Sequence, residues 1–408
     1  MPADALKCKE CSTTYPLDAR YVCSRCFGPL EVSYSSHTAS ADELRRRIQA
    51  GPHTLWRYAD FLPVDTARSA LPTGWTPLVR ADRLAQRLGI REVWIKNETA
   101  NPTHSFKDRV VSVALARAQE LGFETIACAS TGNLANAVSA HAAAAGLPSY
   151  VFIPADLEAE KILATGAYGT NIVAIRGNYD AVNRLCTEVA GERPSWAFVN
   201  VNVRPYYAEG SKTLAYETAE QLGWELPDRV VAPIASGSLF TKVARGFQDF
   251  IDAGLLAGEV PVMCGAQAEG CSPVAAAFAA GTDVCRPVRP DTIAKSLAIG
   301  NPADGPYAVE LARATGGVIE GVSDDEIRAG VRLLAETTGI FTETAGGVTT
   351  AVLAKLAAAG AIDPGERVVA YITGDGLKTL DTVRGTFDVT EIAPSLDEFE
   401  ASFEPAVV

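Results

Sequence analysis

From Pro77 to Thr373 the sequence alternates short runs rich in Val and Ile with longer amphipathic or Ala-rich runs, almost without a break. The short runs suit strands and the longer ones suit helices. Strands that are each followed by a helix form parallel sheets covered on both faces, because every crossover must return across a sheet face. The pattern predicts strands over 92–96, 125–129, 149–153, 171–175, 196–201, 229–234, 260–266 and 367–373. It predicts helices over 80–88, 109–121, 133–145, 157–167, 179–190, 211–222, 324–336 and 344–359, and another after a turn at 236–238. The fold class that follows is α/β, and 408 residues suffice for two large domains or one large and one small.

Charge and composition exclude several partners. The chain is 48% hydrophobic and 21% charged, which allows a sizeable core without disulfide staples. Net charge is −13, and nearly half the excess sits beyond Arg384, in Asp388, Glu391, Asp397, Glu398, Glu400 and Glu404. Such a balance argues against nucleic acid or an anionic membrane as partner. The uncharged run 126–155 is full of Gly, Asn, Ser and Pro, so it reads as buried helix and loop instead of a membrane span. The start lacks the basic, apolar and small-residue succession of a secretory leader. Nine cysteines, an odd number, suit a reducing cytoplasm.

The most informative stretch is Asn101-Pro102-Thr103-His104-Ser105-Phe106-Lys107-Asp108-Arg109, between a predicted strand and a predicted helix. Pro102 keeps the turn non-helical, and Ser105 is placed to cap the helix that follows. The helix dipole and Arg109 would both favour the neutral amine of Lys107. A neutral lysine is what condensation with an aldehyde cofactor needs.

These residues resemble the pyridoxal-phosphate lysine motif of threonine synthases, within the fold type II enzymes of the tryptophan synthase-like family. Three later motifs carry the resemblance further, and it covers roughly residues 55–385. Ser130-Thr131-Gly132-Asn133-Leu134 opens a predicted helix, where N–H groups and small hydroxyls make an anion site suited to a carboxylate. In the resembling family this loop holds the substrate carboxylate and its Asn contacts the cofactor ring. Ala235-Ser236-Gly237-Ser238-Leu239 follows a strand and opens a helix, so its backbone can approach a phosphate closely. It carries hydroxyls where the family has a richer glycine loop. Thr373-Gly374-Asp375-Gly376-Leu377-Lys378-Thr379 resembles the synthase ending whose Thr meets the pyridine nitrogen. A neutral hydroxyl there makes a weaker electron sink than a carboxylate partner would.

The chain departs from the family pattern at three places. His104 stands where Gly is usual, and Asp375 and Thr379 replace other residues of the C-terminal motif. Tyr207 replaces an arginine associated with the substrate phosphate, and Arg204 lies three residues earlier. Tyr206 and Tyr207 are read either as pocket-lining or as simple packing, and His141 as packed.

Residues 1–35 read as a separate unit. Cys8-x-x-Cys11 and Cys23-x-x-Cys26, eleven residues apart, match a tetrahedral zinc site of zinc-ribbon type. The remaining cysteines, Cys128, Cys186, Cys264, Cys271 and Cys285, show no ligand spacing and read as buried thiols.

The expected domains are the four-cysteine unit 1–35, a linker with a short helix over 36–75, a large cofactor domain formed by 76–111 and 211–387, a small one over 112–210, and an acidic tail 388–408. The fold the resemblance implies is two twisted, largely parallel sheets with pyridoxal phosphate between them. The implied activity is that of a carbon–oxygen lyase converting O-phospho-L-homoserine and water to L-threonine and phosphate. Lys107 would be catalytic, with Phe106, Asn133, Ala235, Ser236, Gly237, Ser238, Leu239 and Thr373 at the cofactor. Ser105, Ser130, Thr131, Gly132, Lys161, Arg204 and Lys212 would meet the substrate, and a homodimer is the expected assembly. Two alternatives stay open. One is another pyridoxal-phosphate elimination or replacement enzyme, such as a dehydratase or a specialised amino-acid synthase. The other is a non-catalytic zinc-ribbon binding protein on a degenerate scaffold.

Overall fold

The apolar runs assemble into two sheets with parallel strands, and the cysteine-rich start makes a small antiparallel one. The computed structural model describes residues 3–66, 71–130, 132–155, 159–176 and 179–403. Strands β1 (Ala3–Cys8), β2 (Thr14–Tyr15) and β3 (Leu30–Tyr34) pair antiparallel in the order β2-β1-β3. Helix α1 (Ala41–Ala50) follows, with the Ser40 hydroxyl accepting from the Glu43 N–H and with Leu44 and Ile48 buried. The rest of the expected linker is no free tether. A 3₁₀ turn over Leu55–Phe61 buries Leu55, Tyr58 and Phe61 completely, because the two rings interleave with Tyr216 and Phe250.

Strand β4 (Leu78–Arg80), helix α2 (Asp82–Leu88) and strand β5 (Glu92–Asn97) begin the large sheet. The chain then leaves through α3 (Lys107–Glu120) into the small sheet. There β6 (Thr125–Ala129), α4 (Asn133–Ala144), β7 (Ser149–Pro154), α5 (Ala159–Gly166), β8 (Asn171–Ile175), α6 (Tyr179–Glu192) and β9 (Trp196–Phe198) form a parallel sheet ordered β8-β7-β6-β9.

Helices α7 (Arg204–Glu209) and α8 (Lys212–Gln221) lead back to the large sheet. Its remaining elements are β10 (Arg229–Pro233), α9 (Ser238–Asp252), β11 (Val262–Ala268), α10 (Pro273–Ala279), α11 (Gly305–Ala314), β12 (Ile319–Val322), α12 (Asp324–Thr338), α13 (Thr344–Ala358) and β13 (Arg367–Ile372). The sheet runs β12-β11-β10-β13-β5-β4, and only β4, at its edge, is antiparallel. Elements β4, α7, α10, α11 and β12 were not expected from the sequence. All but the ten-residue α11 are short, and β12 reads Ile-Glu-Gly-Val, too polar to mark a strand. An exposed helix, α14 (Leu396–Ser402), ends the described chain.

Strands β6 and β10 are buried along their whole length, as strands covered on both faces must be. Fully burying side chains such as Phe240, Phe247 and Phe250 of α9 stabilises by about 1.5–3 kcal/mol each. The backbone passes between the two sheets at α3 and at α7. These segments meet so closely that a Cβ at Gly210 would lie 2.5 Å from the Arg109 carbonyl oxygen. Among the described residues no helix is long and apolar enough to cross a membrane.

Candidate active site

The lysine turn is held by the C-terminal motif. The Phe106 N–H donates to the Thr373 carbonyl (3.0 Å), the Asp375 N–H to the His104 carbonyl (3.1 Å), and Ser105 pairs with Gly374 as an isolated bridge. Residues 342 and 343 join the same assembly. Glu343 N–H and the Thr342 hydroxyl both donate to the Gly374 carbonyl at 3.0 Å. Segments distant in sequence thus make one small hydrogen-bonded knot at the sheet's carboxyl edge, where open α/β sheets bind ligands.

Helix α3 begins at Lys107, but Ser105 does not cap it. The turn is closed instead by Asp108, whose carboxylate accepts from the Thr103 N–H (2.8 Å) and hydroxyl (2.9 Å). His141, read as packed, is indeed buried and lies 2.9 Å from the same carboxylate. The Ser105 hydroxyl is fully buried and has no hydrogen-bond partner among the described residues. His104 has φ 60°, in the left-handed region that favours glycine, which explains why glycine is the usual residue there.

The positive influence expected of Arg109 is cancelled. Its guanidinium is fully buried and paired with Glu98 (2.6 Å) and Glu217 (2.6 Å). Glu217 also holds Lys96 at 2.7 Å. Burial would raise the Glu217 carboxyl, but Arg109 and Lys96 outweigh it and hold the group below the usual carboxylate range. This buried network is a rigid floor beneath the turn, not part of the reacting surface.

Lys107 is half-buried, and its Nζ lies 2.9 Å from the Tyr207 hydroxyl and 4.6 Å from the centre of the Phe106 ring. Across the cleft, Asn133 at the start of α4 donates through Nδ2 to both carboxylate oxygens of Glu343, at 3.0 Å each. Its Oδ1 accepts from Lys378 Nζ at 2.7 Å. Burial raises the Glu343 carboxyl, opposed by Asn133, Lys378 and Lys107. Burial likewise lowers the Lys378 amine, opposed by Glu343, Asp108 and Asp375. Gly374 leaves no room for a side chain, since a Cβ there would meet the Glu343 carboxylate at 2.5 Å.

The predicted phosphate loop lies at the start of α9. Gly237 has φ 98°, and a Cβ there would lie 2.6 Å from the Asp304 carbonyl oxygen, so only glycine fits. The first N–H groups of α9 have no acceptors within the helix, and that of Ser238 reaches the Ser236 hydroxyl at 3.4 Å; a helix start of this kind can receive an anion. Asp304 ties this loop to α7. Its N–H donates to the Ser236 carbonyl (2.8 Å) and its carboxylate accepts from Arg204 Nη2 (2.8 Å). Arg204 and Tyr207 are one turn apart on α7, so one short helix links the phosphate loop to Lys107.

Not every expected site residue gathers here. Lys212 is buried away from the cleft, with its Nζ 2.7 Å from Glu209 and 2.8 Å from Asp249. Its charge is consumed, and it is no candidate for the substrate phosphate. Thr131 lies outside the described residues, as does the Lys161 side chain. The Ser130 hydroxyl accepts the Gly132 N–H at 3.4 Å. Sequence reasoning missed Glu343 and gave Lys378 no role. Glu343 sits in no recognisable motif, but Lys378 belonged to one already quoted.

The residues fit pyridoxal phosphate: a half-buried amine for the aldehyde, a helix N-terminus with a close-approach glycine for the phosphate, amide and hydroxyl groups for the ring, and the buried Ser105 hydroxyl lacking a partner. The four cysteines fit zinc. Their sulfurs all lie within 4.8 Å of one another, with Cys8–Cys26 and Cys11–Cys26 at 3.4 Å and Cys11–Cys23 at 3.6 Å. A tetrahedron with Zn–S arms of about 2.3 Å has edges of about 3.8 Å, close to these separations.

Comparison with known proteins agrees. The pyridoxal-phosphate dependent enzyme family model matches residues 70–374. The threonine synthase of Methanocaldococcus jannaschii is 38% identical over 383 residues, covering 92% of this chain and 93% of that one. That of Methanosarcina acetivorans is 37% identical over 381 residues, covering 93% of each chain. Among solved structures, O-ureido-L-serine synthase superposes with a TM-score of 0.64 at 22% identity, covering 79% of this chain and 97% of that one, which speaks to the fold alone. The chain therefore belongs to the pyridoxal-phosphate dependent enzymes and, among them, to the threonine synthases.

Proposed function

We propose that this enzyme converts O-phospho-L-homoserine and water to L-threonine and phosphate, and that one cleft performs the whole reaction. The observation that carries the reading is that α7 presents Arg204 one turn from Tyr207, whose hydroxyl meets Lys107. An amine and a guanidinium are then spaced along one wall, as an amino acid with a distal phosphate requires.

Bound pyridoxal phosphate supplies an electron sink for negative charge at the substrate's Cα and Cβ. Lys107 holds the cofactor through Nζ, with Phe106 beside it. Residues 235–239, that is Ala235, Ser236, Gly237, Ser238 and Leu239, cradle the cofactor phosphate, and Asn133 and Thr373 orient its ring. With substrate bound, the Lys107 amine would take and return protons at the substrate's Cα and Cβ. Ser105, Ser130, Gly132 and the neighbouring Thr131 receive the substrate carboxylate, and Arg204 receives the departing phosphate. A bidentate guanidinium suits that dianion better than a single ammonium. Zinc at Cys8, Cys11, Cys23 and Cys26 has a structural role. A cytoplasmic homodimer is the compartment and assembly that complete the reading.

One contact favours a second reading, elimination on an unphosphorylated amino acid: Arg204 already spends its guanidinium on Asp304. Phosphate release from O-phosphohomoserine, assayed beside deamination of serine and threonine, separates the two. Release without deamination supports the synthase, and deamination alone overturns it.

A further inference from the structure

Tyr207 stands where the resembling pattern has arginine, and it touches the reacting amine. Its hydroxyl is 2.9 Å from Lys107 Nζ, while the ring centre is 5.6 Å away, so the polar end and not the ring face meets the lysine. The backbone that carries the side chain is anchored. Its N–H donates to the Val203 carbonyl at 3.1 Å, and Tyr206 beside it is fully buried with its hydroxyl on the Asp18 carbonyl at 2.9 Å. Gly210 then pins the end of α7 against α3.

A phenol both donates and accepts, whereas a guanidinium only donates. We propose that Tyr207 is a catalytic residue whose hydroxyl is the hydrogen-bond partner of Lys107 Nζ in both of that amine's protonation states. When Lys107 has taken a proton from carbon, its N–H donates to the phenol oxygen. When it has returned that proton, the phenol O–H turns and donates to the nitrogen lone pair. No proton leaves the pair except the one passing between nitrogen and substrate carbon. Arg204, one turn earlier, would have to share its guanidinium between Asp304 and the departing anion; this part rests on the proposed function.

Other charged groups facing the pair are constant between the variants below. Glu343 acts on Lys107 from α13, with Lys378 and Asp375 beside it. Asp108 and Arg109 on α3 are each paired already, and so are Arg204 and Glu209 on α7.

The test is Tyr207→Phe in the holoenzyme. In the absence of substrate, the pH midpoint of the bound cofactor's visible absorption should move by roughly one unit, the scale of a lost hydrogen bond. Turnover should fall about ten- to hundredfold with KM nearly unchanged, the size of a lost hydrogen bond to a charged group. Tyr207→Arg should not restore turnover. An unmoved midpoint with full turnover overturns the proposal. Should the Phe variant fail to fold, 3-fluorotyrosine at position 207 replaces it, and an unmoved midpoint again counts against the idea. If the wild type releases no phosphate from O-phosphohomoserine, the substrate reading fails while the absorption titration still decides the role of Tyr207.

Discussion

Lys378 Nζ donates to Asn133 Oδ1 at 2.7 Å while also holding the Thr103 carbonyl at 2.6 Å. The ammonium therefore fixes which end of the Asn133 amide is the oxygen, and turns Nδ2 toward the Glu343 carboxylate. Lys378→Met should leave the Asn133 amide held by Glu343 alone, with two acceptors, Asn133 Oδ1 and the Thr103 carbonyl, unsatisfied. The expected result is about tenfold weaker binding of pyridoxal phosphate, from a loss of about 1–3 kcal/mol, read by cofactor titration of the apoprotein.

Lys107→Ala should abolish the visible absorption of bound cofactor and all turnover. Borohydride reduction followed by peptide mapping should label Lys107 alone. The structure removes one competitor, because Lys96 is fully buried and spends its donors on Thr76, Glu217 and Gln221. A labelled Lys96 would refute the assignment.

Arg204→Ala should raise KM for O-phosphohomoserine about ten- to hundredfold and weaken inhibition by free phosphate. Lys212→Met should behave differently. It leaves Glu209 and Asp249 with fewer partners in the interior, so it should cost about 3–5 kcal/mol of stability in thermal unfolding. The protein that remains folded should keep its KM.

Replacing Cys8, Cys11, Cys23 and Cys26 by Ser should remove one bound zinc, measured by elemental analysis, and lower the unfolding midpoint. The loss should spread beyond the small unit. Tyr206 and Arg117 hydrogen-bond its Asp18 and Leu17 carbonyls (2.9 and 2.7 Å), and Lys9 lies 3.4 Å over the Tyr307 ring. Unchanged stability would argue against a structural metal.

Acid should unfold the protein through its buried carboxylates. Burial alone would raise Glu209, but Lys212 and Lys242 outweigh it and lower the group to about 2 from 4.5. Its stabilisation is full above the unfolded value and is lost as pH falls toward the folded one. Unfolding should thus steepen between pH about 4.5 and about 2. Glu209→Gln should flatten that limb in chemical denaturation measured against pH.

The sequence by itself determined the elements and the chemistry that sits at their ends. Periodicity marks strand and helix because burial on one or two faces imposes it locally. A lysine, an anion loop and a glycine turn are legible because each needs particular residues in a row: β6 begins and ends where the apolar run does, and Gly237 is where only glycine fits. Only the tertiary structure decided which charges are available. Lys212, Arg109 and Arg204 look alike in sequence, yet the first two are locked in fully buried pairs, whereas Arg204 is half-buried and pairs with Asp304 beside the loop that opens α9. It likewise divided Tyr206 from Tyr207, one packed and one on the reacting amine. It also brought Glu343 to Asn133 across 210 residues. A side chain's partner depends on the folding of distant segments, and electrostatic energy depends on that partner and on burial.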